Sequence, residues 1–156
     1  MILDETAVGR LGGAAALVIG TVSADGRPHG CRAWSATPGP DAATLRVIVD
    51  ADDERLVANL AAGSRVALTA ANVVTMASLQ VKGRVRVIEE LTALDHATRE
   101  SRTDRFLADV AETDRVPREM LDALVPARFL VCVVEVDEVF DQTPGPGAGR
   151  VLGCGP

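Results

Sequence analysis

Lys82 is the only lysine among 16 basic residues. It stands in a strictly alternating stretch, Ala77 to Val87. In an extended chain successive side chains point to opposite sides, so Ser78, Gln80, Lys82, Arg84 and Arg86 share one face. A hydroxyl, an amide and three cations in a row suit an anionic ligand, because charge-assisted donors bind phosphate well. The same row also fits an ordinary solvated strand face. Gly83 interrupts the opposite, apolar face and marks a bulge or a close backbone approach.

Arg32 and Trp34 are spaced two apart and share a face with Gly30 and Ala36. A cation and the single Trp among small residues can line a pocket for a flat ligand. They can equally be a core anchor with a cation at its rim. Asp52-Asp53-Glu54-Arg55 opens a short helix. A helix start attracts anions, but three carboxylates already complement its dipole, so a capping cluster is the expected role and Arg55 the one helpful charge.

His29 and His96 have no ligand-spaced partners, so no metal site is expected. His29 follows Pro28 near a turn and is expected to be exposed. Cys31 is a nucleophile only beside a base, which the sequence does not show. No nucleophile elbow, P-loop or dinucleotide loop occurs, and catalytic residues stay unassigned.

These residues need rigid elements. Strands are expected at Ala15–Val22, Pro28–Thr37, Thr44–Val49, Arg65–Ala70, Ala77–Val87 and Phe129–Phe140, bounded by Gly, Pro and Asp turns. Asp52 or Asp53 caps a helix over Glu54–Ala62, with Leu56 and Leu60 on its buried face. Thr92 caps a second helical stretch carrying Phe106, Leu107 and Val110. Pro117 starts a third with Met120, Leu121 and Leu124. Residues 142–156, rich in Gly and Pro, read as irregular coil serving as a lid or dimer arm. The early turns are too short for parallel crossovers. The expectation is one mainly β domain over 1–156 with a few helices, its six antiparallel strands closing into a small barrel.

The chain has 156 residues and a net charge of −6. Its sign disfavours a generic nucleic-acid or anionic-membrane binder. Aromatic residues are 3%, too few for a base-stacking platform. Three cysteines, Cys31, Cys132 and Cys154, lack metal or disulfide spacing and suggest reduced thiols. With no signal-like start and no long apolar run, a cytoplasmic protein is expected.

The segments TVSADGRPHGCRAW, NLAAGSRVAL and LQVKGRVRVI, in this order, resemble the FMN-binding split-barrel superfamily related to pyridoxamine 5′-phosphate oxidase. The likeness spans roughly residues 11–90 and resumes at Phe129–Gly149. It implies a six-stranded Greek-key split barrel and a homodimer with two FMN sites at the subunit interface. By position, Arg32, Arg55, Gln80 and Lys82 resemble the residues around the phosphate. Trp34 and Ser35 would lie along the isoalloxazine wall, and Val49 would offer backbone groups to the ring. Arg32 sits one residue later after the Pro than in the oxidase, which flips its face unless a bulge intervenes. The oxidase's substrate-binding C-terminal region is not recognisable in these residues. The implied function is therefore a small FMN-dependent oxidoreductase related to that oxidase but distinct from it. The alternatives are a non-catalytic flavin or haem binding or sensing protein, and a deazaflavin-dependent reductase.

Overall fold

The computed structural model describes residues 3–154, so the last two residues of the expected tail lie outside the described residues, as does the side chain of Cys154. Seven strands form one antiparallel sheet: β1 (Ala15–Val22), β2 (Pro28–Pro38), β3 (Thr44–Asp50), β4 (Arg65–Asn72), β5 (Ser78–Glu89), β6 (Phe129–Asp141) and β7 (Val151–Cys154). The order is β3-β2-β1-β4-β5-β6-β7, and β3 also pairs with β6. That pairing closes the first six strands into a barrel. β1, β2 and β3 form a meander, and β4 returns beside β1, which is the Greek-key arrangement.

Alternation sends Leu17, Ile19, Ala33, Val47, Leu68, Leu79, Val81 and Val134 into the barrel, where all are buried. Gly83 has both properties its position suggests. The β5–β6 register shifts between Lys82 and Gly83, and an added Cβ would lie 2.1 Å from the Glu135 carbonyl oxygen.

Four helices dress the barrel: α1 (Glu5–Gly12), α2 (Glu54–Asn59), α3 (Ala93–Asp114) and α4 (Arg118–Asp122). α1 adds Leu3, Ala7 and Leu11 to the barrel core, and α2 adds Leu56 and Leu60. Arg10 of α1 donates to the Ser78 carbonyl and to Asp141, whereas Asn59 of α2 donates to Thr21. Ser78 and Thr21 lie at opposite ends of their strands, so the two helices plug opposite mouths. Asp53 is the cap of α2, accepting the Leu56 N–H at 2.9 Å. α3 lies outside the barrel against β2, where Arg102 donates to the Ala36 carbonyl and to Ser35 Oγ. Its start is a capping box between Thr92 and Asp95, and Asp95 also holds Arg46 of β3 at 2.8 Å.

One element was not foreseen, and two expectations need correction. Glu5–Gly12 is a helix, although two glycines weaken its propensity; the Asp4 cap and burial of one face in the barrel mouth offset that. The tail is not wholly irregular, because β7 pairs with β6 at Glu138–Phe140. β3 covers the same edge of β6 only from Phe129 to Glu135, so β7 protects an edge left open by the split. On α4 only Leu121 is buried; Met120 is exposed, and Leu124 lies beyond the helix end and is exposed too.

Candidate functional site

Strand pairing turns the sequence candidates into rows. Arg32, Val18, Thr69, Gln80 and Phe140 are level with one another across β2, β1, β4, β5 and β6. The next row is Gly30, Gly20, Ala67, Lys82 and Glu138. All alternate with barrel-core residues, so they form the outer face of the sheet. Gly30, Gly20 and Ala67 give this face a flat floor. Val18 is 49% exposed and Val22 54%, so the apolar part of the floor is open. β2 and β5 are three strand steps apart, about 14 Å at the usual spacing.

A groove of about 340 Å³ runs over this floor, lined by Gly20, Val22, Ala67 and Gly83 with Arg65 and Lys82. Asp137 and Glu138 also line it. Arg84 holds Asp137 at 3.6 Å. The Lys82 ammonium stands 4.4 Å from the centre of the Phe140 ring, a cation–π contact that aims it along the sheet face. Gln80 Nε2 donates to Thr69 Oγ1 at 3.2 Å.

Arg32 is held between aromatic rings, 4.6 Å from the Phe106 centroid and 5.6 Å from that of Trp34. Burial lowers its pKa. The β2 bulge lies between Ala33 and Ser35, after Arg32, so Arg32 keeps a regular register with β1 and faces outward. Trp34 is buried in a cluster with Ile48, Val131 and Val133, its ring edge-on to Phe129. It therefore backs Arg32 instead of forming an open wall. Ser35 is buried and turned to Arg102 of α3. Val49 is wholly buried in the barrel, flanked by Ala33 on β2 and Leu130 on β6. The structure thus brings Arg32, Gln80 and Lys82 onto one face and leaves Ser35 and Val49 off it. Sequence reasoning missed Arg65 and Phe106. Arg65 was readable as the start of β4; nothing local tied Phe106 to Arg32.

Arg55 lies on α2 and lines an adjoining groove of about 360 Å³ with Ser23, Arg27, Pro28 and His29. Here two expectations fail. His29 is not exposed but has a side chain 22% accessible, with Nε2 at 2.9 Å from Asp53 Oδ2. Nor is it without partners: the donor atoms of His29, Cys31 and Asp53 all lie within 4.8 Å of one another. Asp53 comes from a distant element, which spacing along the chain does not reveal. Burial, then the charges of Asp53 and Asp50, push the Cys31 thiol up to about 12. Burial alone would raise the Asp53 carboxyl, but the Leu56 N–H, His29 and Cys31 outweigh it and the net shift is downward. Asp52 pairs with Arg128 at 3.1 Å. Two of the three helix-start carboxylates therefore have protein partners. His96 is exposed on α3, away from both grooves.

No helix among the described residues is long and apolar enough to cross a membrane. The chain matches the family model of pyridoxamine 5′-phosphate oxidase over residues 3–142. No curated protein matches it. Solved structures do. A putative pyridoxamine 5′-phosphate oxidase from Lactobacillus delbrueckii is 22% identical with a TM-score of 0.54, over 89% of this chain and 93% of that one. An F420 reductase is 18% identical with a TM-score of 0.56, over 88% and 98%. HutZ, a heme storage protein from Vibrio cholerae, is 16% identical with a TM-score of 0.51, over 90% and 95%. At such identities these structures share the fold, and their ligands remain their own.

Proposed function

The chain belongs to the pyridoxamine 5′-phosphate oxidase family, and from that premise we propose that it is a small FMN-binding oxidoreductase, distinct from the oxidase itself. The observation that carries this reading is the joint placement of Arg32, Gln80 and Lys82 on the outer face of β2-β1-β4-β5, over a floor of Gly20, Gly30 and Ala67. FMN joins a phosphate to a flat ring. The cations suit the first, and a floor without bulky side chains suits the second.

In this reading Lys82 and Arg65, which line one groove, neutralise the phosphate, Arg32 adds a cation at the far side of the floor, and Arg55 adds positive potential from the α2 groove. Gln80 presents its amide to the polar edge of the ring. Trp34 and Phe106 keep the Arg32 guanidinium in one orientation, so less freedom is lost when it binds. Ser35 and Val49 contribute through the wall, Ser35 by seating Arg102 and Val49 by filling the barrel behind the face. When bound, FMN supplies hydride and single-electron chemistry. The open face is also the surface on which a second copy docks, which excludes water from the ring.

A solved structure of this fold is an F420 reductase and another is a heme storage protein. The deciding experiment therefore titrates the cofactor-free protein in parallel with FMN, the deazaflavin F420 and haemin. The expected result is saturable FMN binding, with Arg32→Glu and Lys82→Glu each weakening it. Saturation by F420 or haemin, with none by FMN, overturns the reading. Haemin binding lost in His29→Ala or His96→Ala would identify the axial ligand.

A further inference from the structure

We propose that His29, Cys31 and Asp53 form a binding site for a borderline divalent metal ion of the zinc type, at the barrel mouth plugged by α2. The three donor atoms, an imidazole nitrogen, a sulfur and a carboxylate oxygen, already lie within 4.8 Å of one another. Around a tetrahedral zinc ion, ligand atoms stand about 3.5 Å apart, as its bond lengths of roughly 2.0–2.3 Å dictate. Closing the set needs only small side-chain rotations.

The scaffold is rigid where it must be. His29 and Cys31 are spaced two apart on β2, paired with Thr21 and Ile19 of β1, so they point the same way. Asp53 uses its Oδ1 to accept the Leu56 N–H, which fixes the carboxylate and leaves Oδ2 directed at His29. A hydrogen bond on the second carboxylate oxygen is the kind of support that orients a metal ligand. The donor set of thiolate, imidazole and carboxylate selects zinc, cobalt or nickel over magnesium or calcium, which prefer oxygen ligands alone. Three protein ligands leave a fourth position. His29 also lines the groove of about 360 Å³ with Arg55 and Asn59, so that position opens toward solvent and a small anion or water can occupy it. The ion is not a flavin ligand, and its binding is measured on the flavin-free chain.

The test is Co²⁺ titration of the chelator-treated full chain, followed by the thiolate-to-cobalt charge-transfer band and the visible d–d bands. The expected result is saturation at one Co²⁺ per chain, with displacement by Zn²⁺. Cys31→Ser removes the charge-transfer band, and Cys132→Ser retains it. His29→Gln and Asp53→Asn each weaken binding at least about tenfold. Asn is as good a helix cap as Asp, so Asp53→Asn reads ligation and not loss of α2. No charge-transfer band in the wild-type chain, or a band that survives Cys31→Ser, overturns the proposal. Undiminished affinity in both His29→Gln and Asp53→Asn overturns it as well, and these two variants decide the matter should Cys31→Ser not fold.

Discussion

Lys82 and Arg32 stand three strands apart yet face the same way, and each has an aromatic ring fixing its position. Replacing Lys82 by Glu puts a carboxylate against the flavin phosphate, and replacing Arg32 by Glu removes the cation at the far side of the floor. We expect each change to weaken FMN at least about tenfold, or roughly 1.4 kcal/mol, in a fluorescence titration. An unchanged affinity in both variants would place the phosphate elsewhere. The Cys31 and Cys132 thiols are both pushed up to about 12, Cys132 by burial. Burial keeps both thiols protonated at pH 8, so alkylation of the folded, metal-free chain should be far slower than of the unfolded chain. Rapid labelling of Cys31 would contradict that environment. Alternation alone put Gln80 and Lys82 on one strand face, whereas Arg32 joins that face only through the pairing of β2 with β1, β4 and β5. Ser35 was not readable, because the bulge at Trp34 turns two neighbouring residues toward α3. Val49 was not, because only barrel closure through β3 and β6 decides which strands lack an open face. His29 and Cys31 visibly share a face, but their partner Asp53 arrives through the β3–α2 connection.

β5 depends on Gly83. An added Cβ would meet the Glu135 carbonyl oxygen at 2.1 Å and a Val134 methyl at 2.7 Å. The first is backbone held in the ladder and cannot swing aside. Gly83→Ala should cost about 3 kcal/mol in urea unfolding, and a loss under about 1 kcal/mol would show that the bulge can relax. α3 depends on Asp95, whose side chain is 7% exposed and paired with Arg46. Arg46 first, aided by Thr92 and opposed by burial, lowers the Asp95 carboxyl from 3.8 to about 2. A depressed carboxyl stabilises the fold above its unfolded value and loses that contribution as pH falls from near 4 to near 2. The loss amounts to about 2 kcal/mol. Asp95→Asn should flatten this acid limb in melts taken across that range, and an unchanged limb would assign the acid sensitivity to another group. The strands, their turns and the two capped helices α2 and α3 were legible because period and punctuation agree. α1 and β7 were not. Each is short and glycine-containing, and each forms because the barrel presents a mouth to plug or an edge to cover.

The whole molecule leaves the outer sheet face over β1, β4 and β5 open, with Val18 and Val22 exposed on it. A second copy covering this face would bury those valines and enclose the flavin. Sedimentation velocity should therefore show a dimer. Val22→Asp should dissociate it and weaken FMN at the same time. A monomer that binds FMN tightly would separate the site from the interface. The chain carries a net charge of −6, and on this face Arg65 and Lys82 share the groove with Asp137 and Glu138. The central claim is that this face takes a flavin, and direct titration of the cofactor-free protein with FMN tests it most directly. The account predicts saturation at one FMN per chain, with quenched flavin fluorescence and an affinity that falls as salt is raised. Fluorescence that never saturates, or FMN binding that is indifferent both to salt and to Lys82→Glu, would contradict it.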